Sequence, residues 1–195
     1  MVKRRAAKVC AVGAVIAAAL GWVSEGNAPR TQPTSLYPEG NTLRLSKAAL
    51  ELIGNAEGCR REPYRCPANI PTVGLGHTGD GIRWGTTYSV DQIAKWFVAD
   101  TLKAQWCLEH YVEAPRGQPL PPSVVDGFGS FIFTTGCNKF RSYPVYRQLL
   151  DGEFAAACRR MRLYDKAKVD GRMTTLPGLH TRRLDESDLC LSGLD

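Results

Sequence analysis

The stretch from Ser46 to Thr78 reads SKAALELIGNAEGCRREPYRCPANIPTVGLGHT. Ser46 is a helix-capping residue type, and Leu45, Ala49, Leu52, Ile53 and Ala56 recur at helical spacing. A helix is therefore predicted over residues 46–56, with Gly54 and Gly58 marking its weakened end. Glu57 follows Ile53 by four residues. That spacing puts its carboxyl beside the apolar stripe at a helix terminus, where partial loss of solvent favours the protonated form. From residue 66 to 82 Pro and Gly recur too often for a helix, and alternating short apolar residues predict a small hairpin sheet that carries Thr72.

Beyond this stretch, residues 89–112 open with a capping box, Ser89 with Gln92. They continue with Ile93, Trp96, Phe97 and Leu108, which predicts a long helix ended by APRGQPLPP. Val124, Val125, Phe128, Phe131 and Ile132 predict a central buried helix over residues 123–133. Shorter helices are expected at 144–150, 153–163 and 179–191. The fold class is α+β: a small lobe with a hairpin sheet, a larger mainly helical lobe, and a cleft between them.

With 195 residues and 44% apolar content, the chain can bury one ordinary core with a short N-terminal segment to spare. Residues 9–23, VCAVGAVIAAALGWV, contain no charge; KRRAAK precedes them and SEGNAPRTQPT follows. As a helix this run spans about 22 Å, against roughly 30 Å of bilayer hydrocarbon. Its alanines and glycines make insertion marginal. Two readings stay open: a cleaved secretory signal peptide with Gly26, Asn27 and Ala28 near the cut, or a retained segment able to leave the bilayer. Cys10 favours retention, since a thiol in a discarded segment has no use. Residues 27–38 read as a flexible linker.

Of the net charge of +6, Lys3, Arg4, Arg5, Lys8 and Arg30 against Glu25 place +4 in the first thirty residues. The remaining 20 basic and 18 acidic residues nearly balance. The basicity is a topology signal, with positive residues held on the cytoplasmic side, and nucleic-acid binding is discounted. Seven cysteines point to an oxidising compartment, and with no CxxC pair they suggest no zinc site. No metal or other cofactor is implied. The odd count leaves one thiol without a partner.

Cleavage of a glycosidic bond needs one group to protonate the leaving oxygen and another to drive water or attack. Glu57 and Cys66 offer such a pair, with the hydroxyl of Thr72 able to hold water or substrate. Taken singly, each has a plainer use: Glu57 as a solvated helix-end carboxylate, Cys66 as a structural disulfide cysteine, Thr72 as a strand residue. Gly74, Gly76 and His77 fit hairpin geometry better than chemistry.

LELIGNAEGCRREPYRCP, PTVGLGHT, FGSFIFTTG and LPGLHTRRLDESDLCL resemble, in order, the landmarks of the phage lysozyme (endolysin) family over most of residues 46–192. Glu57, Cys59 and Cys66 with a Cys-bearing weak N-terminal segment are similar to the signal-anchor-release endolysins controlled by disulfide exchange. Thr134 stands where that family often has Asn. The resemblance implies a lysozyme-like muramidase with Glu57, Cys66 and Thr72 as its catalytic triad, Cys66 taking the place where many relatives have Asp. Its bond is the β-1,4 link between N-acetylmuramic acid and N-acetylglucosamine in peptidoglycan.

The implied domains are a signal-anchor-release segment at 1–26, a linker at 27–44 and a catalytic domain at 45–195. The protein is expected as a monomer exported to the host periplasm, first tethered to the inner membrane with its N-terminus in the cytoplasm. A Cys59–Cys66 disulfide is the expected inactive form, and Cys10 attacks Cys59 on release to free Cys66. Of the three pairings open to Cys107, Cys137, Cys158 and Cys190, Cys137 with Cys158 and Cys107 with Cys190 are favoured. Two rival classes are a Cys66/His77 cell-wall amidase or peptidase, which lacks a recognisable third orienting residue, and a non-catalytic wall-binding protein.

Overall fold

The apolar N-terminal run forms helix α1 (Val12–Ser24), which packs against α2 (Lys47–Glu57) and α3 (Val90–Leu108) and buries Val15, Ile16 and Ala19 in the core. The computed structural model describes residues 8–24, 42–66, 69–79, 81–169 and 171–194. The expected linker at 27–38 lies outside them. Gly54 makes the close approach of α1 possible: a Cβ there would stand 2.6 Å from Val12 Cγ1. Ahead of α1, the chain lies along strand β1 (Arg60–Arg65), with Cys10 N donating to Cys59 O and Arg61 N to Lys8 O. Among the described residues no helix is long and apolar enough to cross a membrane.

Ser46 caps α2 as its sequence predicts, its Oγ accepting from Ala49 N at 3.2 Å. Gly58 ends the helix at φ +67°, a left-handed angle that a Cβ would disfavour. Strand β1 then pairs antiparallel with β2 (Pro71–Gly74), Tyr64 opposite Thr72. The hairpin therefore begins before Cys66 and not at it. Polar RREPYR hides this strand, because its side chains are mostly half-buried and Pro63 interrupts the pattern.

Helix α3 starts at Ser89, whose Oγ accepts from Gln92 N, and continues through a π turn (Glu109–Glu113) into the short α4 (Ala114–Arg116). Arg44 holds the π turn with two 2.8 Å bonds to buried Glu113. The buried α5 (Pro122–Thr135) packs against α2 and α3 at the centre of the helical lobe. There follow α6 (Cys137–Arg141), α7 (Pro144–Leu150), α8 (Phe154–Arg160), a 3-10 turn (Met161–Leu163), an exposed hairpin of β3 (Lys166–Val169) with β4 (Arg172–Thr175), and α9 (Pro177–Leu191). Helix α9 packs on α5 at Gly127, where a Cβ would fall 2.5 Å from Cys190 Cβ. Among the described residues, two small antiparallel hairpin sheets accompany the helices and match the expected α+β class.

The disulfides are Cys10–Cys59, Cys107–Cys137 and Cys158–Cys190. The favoured pairings Cys137–Cys158 and Cys107–Cys190 are thus incorrect. Helix α5 packs on α3, and the turn after it places Cys137, the first residue of α6, against Cys107 near the end of α3, while α8 lies against α9 and brings Cys158 to Cys190.

Candidate active site

Glu57 is the last residue of α2, and the turn at Gly58 leaves its side chain at the surface end of the helix, 25% exposed. It lines a groove of about 1010 Å³ together with Thr134 of α5 and Leu176, Leu179, Arg182 and Asp185 around α9. On its other side stands Gly76, at φ +80°, where a Cβ would lie 2.9 Å from Glu57 Oε2. Gly76 also borders a second cavity of about 320 Å³, lined by Thr78, Asp100, Ile132 and Phe133 among others. The carboxyl therefore lines one cavity and lies against the turn that borders a second.

The expected apolar neighbourhood of Glu57 is replaced by a guanidinium. Arg182 Nη1 donates to Glu57 Oε1 at 2.7 Å, and Arg182 itself is only 7% exposed. Its Nε donates to Glu186 Oε1 at 3.0 Å, so one arginine joins the groove to a buried carboxylate. Burial pushes the Glu186 carboxyl above the usual carboxylate range, opposed by Arg183 and Arg182. Burial also lowers the Arg183 guanidinium to about 10. The sequence reading missed Arg182; the signal it offered was an Arg-Arg pair with an acid three and four residues on, in an otherwise amphipathic helix.

Tyr64 of β1 ties the hairpin to this centre. Burial raises its phenol first; Arg60 opposes this, and the charges of Glu57 and Cys66 add to it. Glu57 and Cys66 thus lie within electrostatic reach of one hydroxyl. Cys66 is half-buried just past β1, its N donating to Ile70 O at 3.1 Å, and its sulfur is in none of the disulfides. Thr72 is buried on β2 and spends its hydroxyl proton on Ile70 O at 3.0 Å. Among the described residues neither Cys66 nor Thr72 lines the groove beside Glu57.

His77 does have an orienting carboxylate, contrary to the sequence reading: its Nδ1 lies 2.7 Å from Asp100 Oδ2, and its ring stacks on Trp96 at 4.6 Å. Its Nε2 is nevertheless buried without a hydrogen-bond partner. It belongs to the tight turn that bridges Val73, about three strand residues or roughly 10 Å along from Ile70, the partner of Cys66. Cys66 and His77 are therefore not assembled as nucleophile and base.

Comparison with known proteins gives concordant findings. The phage lysozyme family model matches residues 54–186. The SAR-endolysin of Escherichia phage P1 is 34% identical over 172 residues, covering 83% of this chain and 88% of that protein. The crystal structure of the active form of P1 phage endolysin Lyz superposes with a TM-score of 0.77 at 31% identity, covering 98% of both chains. The secreted inactive form of the same endolysin gives 0.52 at 32% identity, over 77% of this chain and 97% of that one.

Proposed function

We propose, from the premise that this chain belongs to the phage lysozyme family and is a peptidoglycan-hydrolysing glycoside hydrolase, that it cuts the β-1,4 bond between N-acetylmuramic acid and N-acetylglucosamine. The observation that carries this reading is Glu57 lining the groove, one oxygen held by Arg182 and the other facing Gly76. A glycan strand laid in the groove brings its linking oxygen to that carboxyl. Glu57 protonates the departing oxygen, the bond to the anomeric carbon breaks, and water completes the hydrolysis. Cys66 is the second reacting group and Thr72 the hydroxyl that supports it.

Glu57→Gln tests this directly. It is expected to fold normally and to lose at least about a hundredfold in activity, while the parent enzyme generates new reducing sugar ends. New amino groups in the digest, with no new reducing ends, would instead mean a peptidase or amidase. Full activity in the variant would leave Glu57 without its role.

The same reading includes a redox switch. The protein is exported to the periplasm as a monomer, held first at the inner membrane by residues 1–26 ahead of the linker at 27–44 and the catalytic domain at 45–195. In that state Cys59 is bonded to Cys66. Once the segment leaves the bilayer, the Cys10 thiolate attacks Cys59 Sγ, the Cys59–Cys66 bond breaks, and Cys66 departs as thiolate and takes up a proton. One disulfide replaces another, so no external oxidant is required.

Three observations support the switch. Cys10 is bonded to Cys59 while Cys66 keeps its sulfur out of any disulfide. The strand between Cys59 and Cys66 separates them by roughly 20 Å when extended, whereas a disulfide requires Cα atoms about 4.4–6.8 Å apart. The blocked form therefore has to dismantle β1 beside Glu57. The closer overlap with the active than with the inactive P1 endolysin agrees with that difference. Cys10→Ser is expected to be exported yet fail to lyse, and Cys59→Ser to lyse while still tethered. Normal lysis by the Cys10 variant would remove the exchange step.

A further inference from the structure

Behind Arg182 lies a network that the reaction as described does not use. Glu186 is fully buried, yet its Oε1 alone takes three donors: Ser130 Oγ at 2.7 Å, Arg182 Nε at 3.0 Å and Arg183 Nη2 at 2.9 Å. Arg182 Nη2 also reaches Ser130 Oγ at 3.5 Å. A guanidinium is a rigid planar fork, so fixing Nε and Nη2 from behind fixes where Nη1 points. Nη1 is the nitrogen on Glu57.

We propose that Glu186 and Ser130 are positioning residues that aim Arg182 at Glu57 and set the charge it presents there. The inference rests on the reading of Glu57 as the proton donor. Burying a carboxylate among packed helices is costly unless charged partners hold it, and an apolar side chain of similar size would serve packing alone. Here the cost is matched by an arrangement with one outlet to the surface. Arg183 has its own partners, Thr134 Oγ1 at 3.3 Å and the face of Phe131 at 4.6 Å, and does not reach Glu57. Arg182 is the member that does.

The frame around this pair is rigid. Gly127 lets α9 lie directly on α5, which brings Ser130 to Glu186, and the Cys158–Cys190 disulfide fastens the next turn of α9 to α8. The charges facing Glu186 are Arg182 and Arg183 from its own helix and Glu57 of α2 across Arg182. Ser130 of α5 and the Cys158–Cys190 bond do not titrate, and Tyr143 acts on Arg183 and not on Glu186. Removing the negative charge of Glu186 thus leaves two guanidiniums less compensated behind the proton donor. The ionised form of the donor is then favoured, and the fall of kcat on the alkaline side moves to lower pH.

The test is a double-mutant cycle of Glu186→Gln with Arg182→Lys, read by kcat, KM, pH profile and melting temperature on defined glycan strands. Glu186→Gln is expected to lower kcat on the order of tenfold with KM near the parent value, and to shift the alkaline limb downward. In the Arg182→Lys background the same change should have almost no further effect. Ser130→Ala is the milder probe should Glu186→Gln not fold, and it should lower kcat without altering KM. Equal losses in both backgrounds, or a lower melting temperature with kcat and the alkaline limb unmoved, would overturn the proposal. Glycan cleavage by Glu57→Gln would instead defeat the proton-donor reading itself, whatever the Glu186 variants do.

Discussion

A methyl group on Gly76 would meet the carboxylate of Glu57, at a φ of +80° that side chains rarely adopt. Gly76→Ala is therefore expected to cost about 1–2 kcal/mol in backbone strain and, by displacing the carboxyl, on the order of tenfold or more in kcat. Unchanged kcat would show that the carboxyl does not rest against this turn. Asp126 offers a test of a different kind. It is buried with Oδ1 on Ser46 N at 2.7 Å, and burial lifts its carboxyl above the ordinary range. The folded state then holds the proton more tightly than the unfolded chain, so stability falls as pH rises above about 4. Asp126→Asn should raise the melting temperature relative to the parent at pH 7 more than at pH 4; an equal difference at both would refute this sign. Glu57 was legible because its spacing from Ile53 and its order with Cys66 and Thr72 are local. Arg182, 125 residues away, was not, since only packing of α9 on α5 and α2 brings it there.

Long helices with a regular apolar stripe, α3 and α5, could be read from the chain, as could α7, α8 and α9, whereas some short or polar elements could not. β1, α6 and the β3–β4 hairpin carry too few apolar residues to show a period. The disulfide connectivity was hidden for another reason: it is set by which helix ends meet. Cys107 and Cys137, 30 residues apart, close a loop worth about 3–4 kcal/mol by chain entropy. Replacing both by Ser should lower unfolding free energy by about that amount in a denaturant titration, and no loss would place the bond elsewhere. Gly54 is the seat of α1. Gly54→Val should clash with Val12 and increase hydrogen exchange across residues 12–20; unaltered protection would mean that α1 is held by other contacts.

At the scale of the molecule, the proposed switch asks the N-terminal run to suit two environments, which its shortness and small side chains fit. In the folded protein it buries Val15, Ile16 and Ala19 against α2 and α3. Its weak apolarity was visible in composition, but its place in the core was not, because helical packing partners leave no mark on a uniformly apolar segment. Docking of α1 and the Cys10–Cys59 bond go together, since the segment that fills the core also carries Cys10 to the base of β1. Disulfide mapping after thiol alkylation, on membrane-embedded silent protein and on released lytic protein, decides whether this coupling operates. The exchange mechanism predicts Cys59 bonded to Cys66 with Cys10 alkylated in the first preparation, and Cys10 bonded to Cys59 with Cys66 alkylated in the second. Alkylated Cys66 in the embedded, silent protein would contradict it.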